Sequence, residues 1–170
     1  MIADAALWND TKTYAPQGTD WLSIIDRSVA VKQQVVEQDQ LEGGLRKILN
    51  FGHTIGHAIE TYYLDGHKHL LHGEAIAIGM ICEAFLSTKI TGLSPAALEE
   101  ITSHLLTIYG YSDISDVDLA KTLEYMTNDK KNVGSQISFS LLSDIGTCRW
   151  DQFADDVLIK ESIQYYQSIG

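Results

Sequence analysis

Apolar residues recur at helical spacing through most of the chain, and the places where polar groups interrupt that rhythm carry the most information. A short helix is predicted from Ala3 to about Thr13, closed by the turn TYAPQG. A long helix is predicted over Thr19–Gln40, capped by Thr19, with Ile25, Val29, Lys32 and Val36 at i, i+4, i+7 and i+11 on one face. At 100° per residue these four fall within about 60° of arc, and Lys32 is the one that breaks the apolar stripe. It is either a lysine snorkelling at the stripe's edge or a cation aimed at an anion.

After Gly43-Gly44 one helix is predicted from Leu45 to about Tyr63, carrying two adjacent stripes. Leu45, Ile48, Leu49, Ile55 and Ile59 share an arc with Gly52 and Gly56, whose missing side chains let a neighbouring helix approach. Arg46, Asn50, His53 and His57 form the second stripe, again at i, i+4, i+7 and i+11. A solvated face would be built of Glu, Lys and Gln; a row of guanidinium, amide and two imidazoles points to a site instead. Two imidazoles at i, i+4 can meet one metal ion, but Thr54 stands where an HExxH protease has its glutamate, which excludes that class.

LDGHKHLL, residues 64–71, reads as a loop in which His67 and His69 are solvated, and His72-Gly73-Glu74 opens a further helix whose apolar side is Ile76, Met80, Cys82, Phe85 and Leu86. His72 is thereby a third participant beside the His53/His57 pair. The rest reads as structural: a helix from Ser94-Pro95 to Gly110 that includes His104, another over Asp118–Met126, a small hairpin formed by Ile137–Leu142 and about Thr147–Trp150, and a final helix from about Ala154 to Gln167. The expected fold is therefore mainly α and multihelical, with one β-hairpin.

At 170 residues, 45% of them hydrophobic, the chain can bury a core as a single domain spanning 1–170. Twelve Lys+Arg against 23 Asp+Glu give a net charge of −11 with no basic run, which argues against nucleic acid as a partner. No apolar run is long enough to cross a membrane and the first residues do not form a signal peptide, so a cytoplasmic protein is expected. Cys82 and Cys148 show no ligand spacing and read as core thiols in a reducing compartment. Against this acidic background, the cluster between Glu42 and Met80, with five of the six histidines, is the more distinctive.

The run that holds Lys32, Asp39, Glu42, Arg46, Asn50, His53, His57 and Glu60, followed by HGEAIAIGM and later by NDKKNVGSQISFSLLSDIG, resembles the C-terminal domain of the 3-dehydroquinate synthase family. The resemblance covers nearly the whole chain in separated blocks. It implies a helical domain packed against a Rossmann-like NAD-binding domain of the same protein, commonly in a homodimer. It also implies conversion of the acyclic sugar acid phosphate DAHP to 3-dehydroquinate with loss of phosphate, NAD being reduced and regenerated in each turnover.

By the same resemblance His53 and His72 are two of three ligands to Zn²⁺, or to another divalent ion such as Co²⁺. His57 is the proton-transfer group, supported by Glu42. Lys32, Arg46, Asn50 and one or both of Lys130 and Lys131 bind substrate together with the two ligand histidines. The family's third ligand is a Glu in an A-E-x-x-K-x-G block expected just ahead of MIADAALWND, and no Gly-rich dinucleotide loop is present. The expectation is therefore a C-terminal domain that is inactive by itself. Alternatives are another sugar phosphate cyclase of the 2-deoxy-scyllo-inosose or valiolone type, a metal-dependent alcohol or glycerol dehydrogenase, and a structural or dimerisation piece. Asn50, His57 and the Lys130-Lys131 pair favour the dehydroquinate enzyme.

Overall fold

The computed structural model describes residues 1–13, 18, 20–64, 69–127 and 136–170. Along the chain lie α1 (Ala5–Thr11), α2 (Trp21–Gln38), a 3-10 helix (Leu45–Asn50), α3 (His53–Leu64), α4 (His72–Ile90), α5 (Pro95–Tyr109), α6 (Leu119–Thr127), β1 (Ser138–Asp144), β2 (Thr147–Phe153) and α7 (Asp156–Ser168). The mainly helical architecture with one antiparallel hairpin is as the apolar rhythm predicts.

α4 is the centre. It packs on α3, α5, α7 and β1, and its residues are buried on every side, from Ala75 and Ile78 to Glu83 and Ser87. The apolar side predicted from Ile76, Met80, Cys82, Phe85 and Leu86 is thus only part of what it buries. A helix apolar around its whole circumference is what an all-round environment requires. α3 crosses α4 at a point where side chains are missing. A Cβ on Gly79 would lie 2.6 Å from the Gly56 amide nitrogen and overlap the Gly52 carbonyl, so glycine here lets the two backbones touch.

Two expectations are corrected. First, the predicted helix over Leu45–Tyr63 is two elements: the 3-10 turn ends at Asn50, Phe51 is extended, Gly52 takes φ +82°, and α3 begins only at His53. Arg46 and Asn50 therefore do not share a continuous helix face with His53 and His57. Three residues per turn and 3.6 give nearly the same apolar spacing over six residues, which is why periodicity missed the break.

Second, the face of α2 bearing Ile25, Val29 and Lys32 is not the buried one. Ile25 is 53% exposed and Val29 58%, whereas Val35 is buried and Ile24 and Val31 half-buried, one position back along the helix. α2 has apolar residues on both faces and packs only on α1 and the 3-10 helix among the elements in substantial contact, so Trp21, Leu22, Ile25 and Val29 stay outside. Its cap is Asp20, whose carboxylate accepts from Ser23 N; Thr19, the predicted cap, lies outside the described residues.

Elsewhere local chemistry matches local structure. Ser94 caps α5 with Pro95 in its first turn, and Gly110 at φ +74° ends it. In β1, Phe139, Ser140, Leu141 and Leu142 are all buried because the strand is covered on both faces, so its inner run is continuous and not alternating. His104 packs edge-on against Trp8 and shares a hydrogen bond with Thr11; burial pushes its pKa down, consistent with a neutral packing role.

Candidate functional site

Three histidines converge where the start of α3 meets the start of α4. The ligand nitrogens of His53, His57 and His72 all lie within 4.8 Å of one another. Ring centroids are 5.2 Å apart for His53 and His57, 6.2 Å for His53 and His72, and 5.7 Å for His57 and His72. The i, i+4 spacing supplies the first pair from one helix, and the α3–α4 crossing brings in His72, which is 59% exposed at the helix start.

Two of the rings have one nitrogen already committed. His53 Nδ1 lies 3.1 Å from the Phe51 carbonyl oxygen, which accepts only, so Nδ1 carries the proton and Nε2 the lone pair. His72 Nδ1 lies 3.1 Å from Oε2 of Glu60, which is about two turns beyond His53 on α3, with the same consequence for its Nε2. A carboxylate or carbonyl behind an imidazole is the usual way a ligand histidine is oriented and its tautomer fixed. The donor set therefore fits a divalent ion of the zinc class. Glu60 lay within the block that carried the family resemblance, yet its role was not assigned there; contact with His72 across the α3–α4 crossing is what reveals it.

A second group of the expected residues lies on the other side of the Phe51-Gly52 break. Asn50 Nδ2 donates to Glu42 Oε1 at 3.0 Å, and Arg46 Nε is 3.8 Å from Glu42 Oε2. Arg46 Nη1 also donates to the Gln40 carbonyl at 3.0 Å. Asp39 holds the intervening loop, accepting from the backbone N–H groups of Gly43, Gly44 and Arg46 at 3.0, 2.8 and 3.0 Å. Those bonds, led by the one from Arg46, hold its carboxyl below the usual carboxylate range.

Glu42 and Asn50 line a cavity of about 350 Å³ with Lys47, Thr54, Ser138, Phe139, Ser140 and Asp151. His53 and His72 line another of about 170 Å³ with Gly73, Ile76, Ala77, Met80, Leu105 and Tyr109. Lys32 is exposed and borders a third, of about 230 Å³, which shares Met80 with the histidine cavity and Phe51 with the His53 hydrogen bond. Lys130, Lys131 and His67 lie outside the described residues, and His69 is exposed.

Glu42 and Asp151, both lining the first cavity, are also, among the described residues, the two non-glycine ones with positive φ, at 57° and 52°. A side chain held in the left-handed region costs about 1–3 kcal/mol, and such strain gathers at sites where the side chain is needed. Glu42→Gly is accordingly expected to be more stable than Glu42→Ala by about 1 kcal/mol in urea unfolding, with both variants losing the anchor on Asn50.

The thiols contribute nothing to either group. Burial pushes Cys82 well above the ordinary thiol range and Cys148 up to about 12, so neither forms a thiolate near neutral pH. Among the described residues no helix is long and apolar enough to cross a membrane.

The family model described as 3-dehydroquinate synthase C-terminal matches residues 1–132. The chain belongs to this family. A 3-dehydroquinate synthase of Parabacteroides distasonis is 39% identical over 145 residues, which cover 85% of this chain but 41% of the relative. Among solved structures, 2-epi-5-epi-valiolone synthase from Streptomyces hygroscopicus subsp. jinggangensis, with NAD⁺ and Zn²⁺ bound, matches 99% of this chain and 48% of its own, at TM-score 0.81 and 19% identity. A 2-deoxy-scyllo-inosose synthase complexed with carbaglucose-6-phosphate, NAD⁺ and Co²⁺ matches at TM-score 0.71 and 23% identity, over 95% of this chain and 49% of that one. At those identities the structural likeness establishes the fold. The chain spans less than half the length of each of these proteins.

Proposed function

We propose that this chain is the metal- and substrate-binding half of a 3-dehydroquinate synthase, converting DAHP to 3-dehydroquinate and phosphate, with the NAD-binding half lying outside these 170 residues. The observation that carries the reading is the convergence of His53, His57 and His72, two of them with Nδ1 committed, in a chain of the dehydroquinate synthase family. The exposed apolar face of α2, with Trp21, Leu22, Ile25 and Val29, is consistent with a further domain or protomer packing there.

His53 and His72 would hold the divalent ion through Nε2, and in that position the ion would acidify a substrate hydroxyl as hydride leaves its carbon. His57, beside both ligands, moves the proton at its imidazole. Glu42 keeps Asn50 and Arg46 in a fixed relation, so that an amide and a guanidinium face an anionic substrate together. Lys32 and one or both of Lys130 and Lys131 add the remaining positive charge for a phosphate and a carboxylate. Glu60 fixes His72; Glu60→Gln is expected to weaken Zn²⁺ or Co²⁺ binding about 10–100-fold in a competition titration, with the fold intact by circular dichroism.

The activity is tested by phosphate release from DAHP. The protein translated from its full coding sequence is expected to release phosphate with catalytic NAD⁺ and no net NADH, and the 170-residue chain alone is expected to release none. Net NADH formed from a simple alcohol would place the protein with the metal-dependent dehydrogenases. Turnover of a different sugar phosphate in place of DAHP would place it with the other cyclases.

A further inference from the structure

We propose that Glu83 is a positioning residue for His53: a buried carboxylate on α4 that sets the backbone from which this histidine projects. The inference rests on His53 being a metal ligand. Glu83 is fully buried, in a stretch of α4 whose neighbours are Ile81, Cys82, Ala84 and Leu86. Its two oxygens are used across the helix crossing. Oε2 accepts from the Gly52 amide at 2.6 Å and Oε1 from the Ile55 amide at 3.2 Å.

Those two amides straddle His53. The first turn of a helix has N–H groups with no partner within the helix, and they are ordinarily met by a Ser, Thr, Asp or Asn at the cap position. At the start of α3 the residue in that position is Gly52, at φ +82°, which has no side chain to offer. The acceptor comes instead from another helix, and a carboxylate is favoured there by the partial positive charge of the helix start. Gly79, one turn before Glu83 on the same face of α4, makes this possible by letting the backbones touch.

The consequence reaches both helices. α4 carries His72 at its first position and Glu83 three turns further on, so one rigid helix presents one ligand itself and fixes the backbone of the other. With the main chain held on either side of His53 and its ring tied to the Phe51 carbonyl, the direction of Nε2 is determined at both ends. Ser87, one turn after Glu83, donates to the Glu83 carbonyl at 2.7 Å and accepts from Leu142 N at 2.9 Å, which ties this part of α4 to β1 as well.

The test compares wild type with Glu83→Gln, an isosteric change that keeps one acceptor oxygen and turns an amide NH₂ toward the second N–H. Two readouts are taken on the metal-free 170-residue chain by NMR: amide exchange at Gly52 and Ile55 against Ile101 in α5 and Ile159 in α7, and imidazole ¹⁵N shifts of His53 against His72. The expected result is at least about tenfold faster exchange at Gly52 and Ile55 alone, and loss of the single Nδ1–H tautomer of His53, while His72, held by Glu60, is unchanged. Co²⁺ affinity is expected to fall about 10–100-fold, as for other groups behind a ligand. An unchanged His53, or exchange rising by one factor throughout α3, α5 and α7, overturns the proposal, because Glu83 would then be only a contributor to global stability. Absence of Co²⁺ uptake by the wild-type protein translated from its full coding sequence overturns the metal reading and the ligand role given to His53, an outcome distinct from a failure of the NMR comparison.

Discussion

Replacing His53 by alanine is expected to reduce Zn²⁺ or Co²⁺ affinity by more than about 100-fold, whereas His57→Ala is expected to leave it within a few-fold. Removing a group merely behind a ligand costs about 10–100-fold, so removing the ligand itself should exceed that. The three rings are mutually close, and proximity alone would allow all three to be ligands. The split rests on the family resemblance, which gives His57 the proton. His53 and His72 each have Nδ1 committed to an oxygen, which points an Nε2 lone pair outward and fits the ligand role. In the catalytically complete protein His57→Ala should instead lower the rate of phosphate release by about 10²–10⁴-fold, the range for loss of a general acid–base group. Competition titration with a chromophoric chelator reads the first quantity and a phosphate assay the second. Equal loss of metal by both variants would remove the division of roles.

Gly79→Ala is expected to destabilise the chain by about 3 kcal/mol or more, the upper part of the range for inserting a methyl group into a packed interior. The added Cβ would overlap the Gly52 carbonyl and lie 2.6 and 2.9 Å from the Gly56 N and Cα, all of it backbone that cannot rotate away. For a domain of this length the change corresponds to a fall of roughly 6–12 °C in midpoint temperature. Moving α3 off α4 also separates His53 from His72 and Glu83 from Gly52, so metal uptake should fall with stability. Gly43→Ala is the matched control: its nearest neighbour, Asp39 Oδ1, would be 4.0 Å away, and its stability is expected to change by less than about 0.5 kcal/mol. Thermal melts by circular dichroism compare the two. A Gly79 variant as stable as the Gly43 one would mean that the crossing is looser than the backbone contact requires.

Much of the site could be read along the chain because its chemistry is local. His53 and His57 are one helical turn apart, His72 opens its own helix, and none of these depends on a distant partner to be recognised as unusual. What periodicity could not deliver was the relation between segments. The stripe from Arg46 to His57 was continuous on paper, yet a glycine at φ +82° between Asn50 and His53 turns the chain, leaving Glu42 and Asn50 around one cavity and His53 and His72 around another. Lys32 stands out in the sequence as a cation among apolar residues, but it, Ile25 and Val29 lie on the exposed part of α2. Glu83 carries the same kind of signal, a lone carboxylate in the run ICEAFL, but the run alone does not say which backbone groups it meets.

The sequence by itself determined the helical class, the position of nearly every element and the identity of the three histidines, since each of these depends on residues within a turn or two of one another. Only the tertiary structure decided which faces are buried, that Glu60 orients His72 and that Glu83 holds the start of α3. Those are contacts between residues 12 and 31 positions apart, made where Gly52, Gly56 and Gly79 let two helices meet, and backbone contact of that kind leaves no periodic trace in a single chain.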